Sequence, residues 1–349
     1  MATQSPNGGR LDEAVSATLA QGYGLQILSA CPHRKVWQLE TSQGPKYLKK
    51  TKLNAASLYF IHEALEYLVQ QGFPTVPRFR LDRDGKPFVQ NGADRYVLTD
   101  WYDATELDFQ VLTDLQQACR LLAIFHLKSR GFQPSRPSTR TVWLDWPAKW
   151  EKRIRELQTF RDLARADSEN SPFSRLYLRH FEPFYRQANL SYQWLLKSPY
   201  PEVAAAAARE RSFCHHDYSD RNLLRTTAGQ IIMVDFDYCL SDLRIHDLVN
   251  LLVRNLKYLA WNSELGKYIL TQYHQTAPLS REELQVMWVL LSWPQDFWQV
   301  GLQFYVEKLP WPKERFLRKL ERKLRQRFDR ERFLSDFSQN NGIYTWKKM

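Results

Sequence analysis

The 349-residue sequence predicts an α+β protein built as two lobes, the first small and rich in strands, the second larger and mainly helical. Three observations predict this class. Strand patterns separated by Gly, Pro and Asp turns are concentrated before residue 100. Apolar residues at three- and four-residue steps, typical of helices, dominate from residue 112 onward, and one strand-rich segment interrupts them. We therefore assign residues 1–100 to the first lobe and residues 101–349 to the second.

The first lobe begins with three predicted strands, LQILSA, VWQLETS and KYLKKTK, the last two joined by a turn at Gln43-Gly44-Pro45. The segment LYFIHEALEYLVQQGF then has the apolar spacing of a helix, which we expect to end near Gly72 and Pro74. Asp84-Gly85 predicts the turn of a second hairpin within RFRLDRDGKPFVQ, and the apolar strand RYVLTDWYD follows it. Strands around one helix therefore make up this lobe.

Helical patterns cover residues 112–129 and 143–196 of the second lobe. The segment that interrupts the helices, SFCHHDYSDRNLLRTTAGQIIMVDFDYCLSD, has two apolar runs around a short polar turn, which predicts a hairpin. Because antiparallel pairing returns the chain beside its start, we expect Asn222 and Asp235 to lie close together. Asp217 lies five residues before Asn222, in the loop that leads into this hairpin.

The side chains gathered at this hairpin suit phosphoryl transfer. Carboxylate and amide oxygens are the hard ligands that Mg²⁺ prefers. Asp217 is the candidate base for an attacking hydroxyl. Transfer also needs a cation on the nucleotide phosphates, and Lys49, on the strand KYLKKTK, is the candidate. The order Lys, helix, linker strand, H-x-D-x-x-x-x-N and then D-F-D is the order found in kinases.

The stretch from His215 to Asn222, together with Asp235, resembles the phosphotransferase motif of the aminoglycoside phosphotransferase and choline kinase superfamily. Within that superfamily the chain resembles the CotS family of kinase-like proteins associated with the bacterial spore coat, whose H-x-D-Y motif is matched by HHDY. The likeness runs from YGLQI through GPKYLKK, QGFPTVPR, DGKPFV, YVLTDWYD and FHLKSRGF to IHDLVNLL. It implies a bilobal protein-kinase-like fold that uses ATP and Mg²⁺.

Carried over residue by residue, the resemblance makes Asp217 the catalytic Asp, Asn222 and Asp235 the Mg²⁺ ligands, and Lys49 the phosphate-binding lysine. A glutamate partner for that lysine is also implied, and the following helix offers Glu63 and Glu66, of which we favour Glu63.

Two further residues are expected to support the catalytic loop. We expect His215 to bond backbone groups of the loop, and Asp247 in RIHDLVNLL resembles the buried Asp that braces it. Asp237 is either an accessory metal ligand or a polar loop residue, and we favour the polar loop residue. One departure is that SACPHRK stands where kinases have a Gly-rich loop.

The formal net charge is +11, and much of the excess lies between Lys308 and Arg332, where apolar residues recur at helical spacing. A terminal helix packed on the body with a solvated basic face is the favoured interpretation, and we do not expect nucleic acid as a partner. Four scattered cysteines without a CxxC pair, and the lack of an apolar run of about 20 residues, predict a cytoplasmic protein that does not span a membrane.

The leading functional hypothesis is an ATP- and Mg²⁺-dependent phosphotransferase, with a nucleotide and a small-molecule or protein hydroxyl acceptor as partners. The acceptor itself is left open. The alternative is a catalytically inactive kinase-fold scaffold that contacts spore coat proteins. The first hypothesis rests on the set Lys49, Asp217, Asn222 and Asp235, and the second rests on the resemblance and the missing Gly-rich loop. We expect the protein in the cytoplasm, or incorporated into the spore coat as the resemblance implies.

Overall fold

A computed structural model describes residues 11–33, 36–167 and 171–342. Contacts between residues divide the chain into two compact units. The first unit comprises Met1–Ala118, Phe125–Thr141 and His215–Leu240, and the second comprises Cys119–Ile124, Val142–Cys214 and Ser241–Met349. The hairpin that carries the predicted catalytic motif therefore belongs to the first unit. A lobe boundary at residue 100 stays a prediction.

The first unit contains two antiparallel sheets. The five-stranded sheet has the order β1-β2-β3-β5-β4, and the three-stranded sheet has the order β6-β7-β8. The elements are α1 (Glu13–Tyr23), β1 (Ile27–His33), β2 (Val36–Thr41), β3 (Lys46–Thr51), α2 (Ala55–Gln70), β4 (Val89–Asn91), β5 (Asp94–Asp100), β6 (Ala104–Glu106), α3 (Leu112–Lys128), β7 (Leu223–Thr226) and β8 (Ile231–Met233). Helix α3 is divided between the two units.

Side-chain alternation along β3 decides which residue faces which core. Leu48 is fully buried in a cluster with Leu19 and Tyr23 of α1. Its neighbour Lys49 points to the opposite face because successive strand side chains alternate. Across the ladder Lys49 pairs with Val97, which packs in a second cluster with Leu58 of α2.

The second predicted hairpin is wrong in its position. The turn at Asp84-Gly85 forms, but the hairpin strands are β4 and β5, which are joined around Gly92. Asp82 accepts hydrogen bonds from the backbone N–H groups of Asp84 and Lys86, each at 2.8 Å. This side chain closes the loop on itself, so the flanking residues do not pair as a ladder.

The second unit is helical. Its helices are α4 (Trp146–Arg165), α5 (Pro172–Lys197), α6 (Tyr200–Glu210), α7 (Ile245–Leu256), α8 (Ser263–His274), α9 (Arg281–Ser292), α10 (Gln295–Gly301), α11 (Lys313–Arg325) and α12 (Arg327–Asn340). Aromatic residues fill much of its core, and the rings of Trp150 and Trp293 lie 4.6 Å apart, both buried. In the described part of the chain, no helix is both long and apolar enough to cross a membrane.

The basic segment between Lys308 and Arg332 packs on the body, as predicted, through buried Phe316 and Leu320. It forms two helices, α11 and α12, which meet at Gln326. Phe328, which has the spacing of a core residue, is 77% exposed. The break shifts the helical phase, and Phe328 therefore falls on the solvent side.

Candidate active site

The β7–β8 hairpin forms as predicted and fixes the two ends of the motif beside each other. Leu223 pairs with Met233 across the ladder, and Val234 N–H donates to the Asn222 carbonyl at 2.9 Å. The residues just outside the ladder, Asn222 and Asp235, therefore lie at the same end of the hairpin.

Asn222 and Asp217 form a directly bonded pair. Asn222 is 8% exposed, and its Nδ2 donates to the Asp217 carbonyl at 2.8 Å and to Asp217 Oδ2 at 3.1 Å. Because the amide nitrogen is used on Asp217, the amide oxygen is the atom of Asn222 that can bind a cation. This arrangement suits the predicted metal-ligand role of Asn222.

His215 connects the catalytic loop to the strand that leads to Asp235. This buried ring accepts a hydrogen bond at Nδ1 from the Asp217 N–H at 3.2 Å, and its Nε2 lies 2.9 Å from the Val234 carbonyl. With Nδ1 accepting, Nε2 carries the proton and donates to that carbonyl. The structure therefore places His215 where a loop support is expected.

Two residues of this region have backbone torsions that non-glycine residues rarely adopt. His216 has φ of 65° and Asp235 has φ of 64°, both in the left-handed region. Such conformations cost on the order of 1 kcal/mol or more and are often found at functional sites.

Lys49 reaches the end of the hairpin from β3. Its Nζ lies 2.6 Å from Asp235 Oδ1 and 2.9 Å from Asp237 Oδ2. Burial lowers the pKa of Lys49, but the charges of Asp237 and Asp235 outweigh it, so the pKa is raised overall. Lys49 is therefore a firmly protonated cation between two carboxylates.

Asp237, which we interpreted from the sequence as a polar loop residue, contacts the site lysine Lys49. A short 3₁₀ turn over Phe236–Tyr238 brings its carboxylate to the same ammonium that Asp235 contacts. The two acidic residues of D-F-D, separated by one position, were the available signal in the sequence. Only the turn in the folded chain shows that the second of them, Asp237, contacts Lys49.

The structure does not bring Glu63 to Lys49. Glu63 accepts hydrogen bonds from Ser135, from the backbone N–H at 2.7 Å and from the hydroxyl at 2.5 Å. Glu66 instead pairs with Arg78, at 2.9 Å from its Nε. Among the described residues, Asp235 and Asp237 are the ion-pair partners of Lys49, whereas both carboxylates of α2 bond other donors.

Asp247 is fully buried in α7 of the second unit. Its role in bracing the catalytic loop stays a prediction.

A cleft of about 550 Å³ borders Asp237, and all of its lining residues belong to the first unit. Its lining includes Arg140, which sequence reasoning missed. Arg140 Nη1 donates to the carbonyls of Asp237 at 2.9 Å and Cys239 at 2.8 Å. This buried guanidinium fixes the segment that carries Asp237.

Comparison with known proteins identifies relatives over nearly the whole chain. A family model described as "Spore coat putative kinase YutH" matches residues 16–337. Spore coat protein S of Bacillus subtilis is 24% identical over 291 residues, which cover 81% of this chain and 81% of that protein. The sequence resemblance to spore coat kinase-like proteins is confirmed.

Solved structures show the fold. An aminoglycoside phosphotransferase from Alicyclobacillus acidocaldarius superposes with a TM-score of 0.77 at 20% identity, covering 98% of each chain. A spectinomycin phosphotransferase in complex with ADP and spectinomycin has a TM-score of 0.63 at 12% identity, covering 95% of this chain and 98% of that one. The predicted α+β, kinase-like fold, with a small antiparallel amino-terminal region and a larger helical carboxy-terminal region, is confirmed.

Proposed function

The chain belongs to the spore coat kinase-like family described by the YutH model, and from this premise we propose that it is an ATP- and Mg²⁺-dependent phosphotransferase acting on a hydroxyl acceptor. One observation carries the proposal. The β7–β8 hairpin places two bonded pairs at one end: Asn222 with Asp217, and Asp235 with Lys49. A structural neighbour was solved with ADP, which supports a nucleotide as the phosphate donor.

The donor set fits a magnesium ion. Asn222 Oδ1 and the Asp235 carboxylate would hold it, since both are hard oxygen donors. The ion would neutralise phosphate charge that develops during transfer. That the Lys49 ammonium lies 2.6 Å from Asp235 shows that this carboxylate accommodates a cation.

The protein's own residues would perform the remaining tasks. Asp217 would accept or orient the proton of the acceptor hydroxyl, and Asn222 Nδ2 holds that carboxylate in place at 3.1 Å. Lys49 would move from the two carboxylates to the nucleotide phosphates. Since phosphoryl transfer depends mostly on positioning and charge stabilisation, these groups would supply what the reaction requires.

Nucleotide binding is the first test. Thermal unfolding of the full chain should shift upward with saturating Mg-ATP, because a ligand that binds only the folded state stabilises it. Asp217→Asn should keep that shift while abolishing ATP consumption in a screen of hydroxyl acceptors. The absence of any shift with Mg-ATP would count against the proposal.

An inactive scaffold of the spore coat is the second candidate. The observation that favours it is the closed ion pair of Lys49 with Asp235 and Asp237, which occupies the phosphate-binding lysine. Spore coat protein S supports a location in the coat. If coat assembly in a sporulating host needs the protein but tolerates Asp217→Asn, the scaffold function is the correct one.

A further inference from the structure

The cleft beside Asp237 is lined mainly by cationic and hydroxyl-bearing side chains, and we call it the basic cleft. Its polar lining includes Lys50, Lys52, Ser57, Arg140, Asp237 and Tyr238. At about 550 Å³ its volume is in the range of small-molecule sites. Resting on the function proposed above, we propose that the basic cleft binds a phosphate or carboxylate group carried by the acceptor.

The charges around the basic cleft do not balance. Lys50 forms an ion pair with Asp94 at 2.5 Å, and Asp237 shares the Lys49 ammonium, 2.9 Å away, with Asp235. Lys52 is exposed and has no carboxylate partner among the residues described. With Arg140 added, the lining keeps an excess of positive charge that an anion would neutralise.

Arg140 is the strongest indication of a ligand. It is only 7% exposed, and its Nη1 is engaged by two backbone carbonyls. Within the described ranges, neither Nε nor Nη2 has a hydrogen-bond partner, and Nε is buried. Buried donors in folded proteins are nearly always satisfied. A charged, buried guanidinium with unused donors is a typical binding group for the planar oxygens of a carboxylate or the oxygens of a phosphate.

The first turn of α2 adds to the attraction. Ser57 contributes its hydroxyl to the lining, and Asn54 caps only the Ser57 N–H, at 2.8 Å. The other amides of this turn and the helix dipole favour a negative charge at this end of the 16-residue helix.

The position of the basic cleft connects it to the proposed transfer site. The Asp237 carboxylate contacts Lys49, and the Asp237 carbonyl accepts from Arg140. Asp237 would therefore lie between an anion bound in the basic cleft and the Lys49 ion pair at the proposed phosphate-transfer end of the hairpin. An acceptor anchored by its anionic group in the basic cleft would have the rest of its body beside that end.

Isothermal titration calorimetry of the full chain with inorganic phosphate, without nucleotide, tests the cleft directly. Lys52→Ala should weaken phosphate binding about fivefold, as expected for one lost charge near an anion, and Lys52→Glu should weaken it further. Lys86→Ala is the matched control, because it removes an exposed lysine from the turn at Asp84-Gly85, outside the cleft. Phosphate binding to Lys52→Glu as tight as to the unmodified chain, or no binding to the unmodified chain, would overturn the proposal.

A second titration, with Mg²⁺ and AMP-PNP, separates the acceptor from the nucleotide. We expect the affinity for AMP-PNP to be the same in the unmodified chain and in Lys52→Ala. An equal loss of AMP-PNP and phosphate affinity in Lys52→Ala would assign the cleft to the nucleotide and refute the acceptor assignment. If the unmodified chain binds phosphate but not AMP-PNP, the proposed phosphotransferase function fails and the anion site stands.

Discussion

Replacing Lys49 with methionine should destabilise the first unit even in the absence of ligands. The substitution keeps most of the apolar stem but leaves the carboxylates of Asp235 and Asp237 facing each other without their shared cation. The three side chains are 23%, 37% and 30% exposed, which places the ion pairs between surface and interior. Exposed pairs contribute about 0–1 kcal/mol, and breaking a buried pair costs roughly 3–5 kcal/mol.

The expected loss is therefore about 2 kcal/mol in the free energy of unfolding, measured by urea denaturation at pH 7. Lys46→Met is the matched control on the same strand, because Lys46 pairs at 2.7 Å with Asp100, whose side chain is 64% exposed. That variant should lose less than about 1 kcal/mol. Equal losses in the two variants would refute the idea that the Lys49 cluster is special.

The same substitution predicts a pH dependence. Because the folded state raises the pKa of Lys49, its stabilising contribution is complete below the ordinary lysine value of 10.5 and is lost as the pH rises through the folded-state pKa. The difference in stability between the unmodified chain and Lys49→Met should therefore shrink only in strongly alkaline solution. A difference that already disappears between pH 6 and 9 would contradict this assignment of charge.

Three further variants test other parts of the molecule. Burial raises the pKa of Asp114, but the hydrogen bond and charge of Arg225, 2.7 Å away, together with the hydrogen bond from the Asp108 N–H, outweigh burial and lower the pKa overall. Asp114→Asn should therefore lose about 1 kcal/mol at pH 7, and the difference in urea midpoints should close as the pH falls below the ordinary value of 3.8. Gly301→Ala should lower thermal stability by about 1–3 kcal/mol, because the added Cβ would lie 2.8 Å from the Tyr177 hydroxyl; an unchanged melting temperature would contradict this. Asn222→Ala should reduce any phosphotransfer rate by about 100-fold or more while the chain stays folded by circular dichroism, and full activity would exclude Asn222 from the site.

The helices and the catalytic hairpin could be predicted because their signals are local. The spacing of apolar residues in α2 and the two apolar runs around Gly229 depend only on neighbouring residues in the sequence. The misplaced second hairpin shows the limit of such signals. Asp84-Gly85 has the composition of a hairpin turn, but Asp82 closes that loop on itself.

The partners of charged residues depend on contacts between distant segments, which composition does not encode. Glu63 had the expected position on α2, yet its carboxylate is taken by Ser135, 72 residues away in the chain. Arg140 had no motif around it, and its contact with Asp237 spans 97 residues. A lone arginine in a loop gives no sequence signal of either burial or binding.

By itself, the sequence determined the α+β class, the kinase-like order of elements and the grouping of Asp217, Asn222 and Asp235, because antiparallel pairing in one short hairpin brings those residues together. The tertiary structure decided which carboxylates hold Lys49 and that a buried arginine borders them. The physical reason is that an ion pair is chosen by distance and burial in the folded chain, and side chains nearly two hundred positions apart meet only after the sheets have formed.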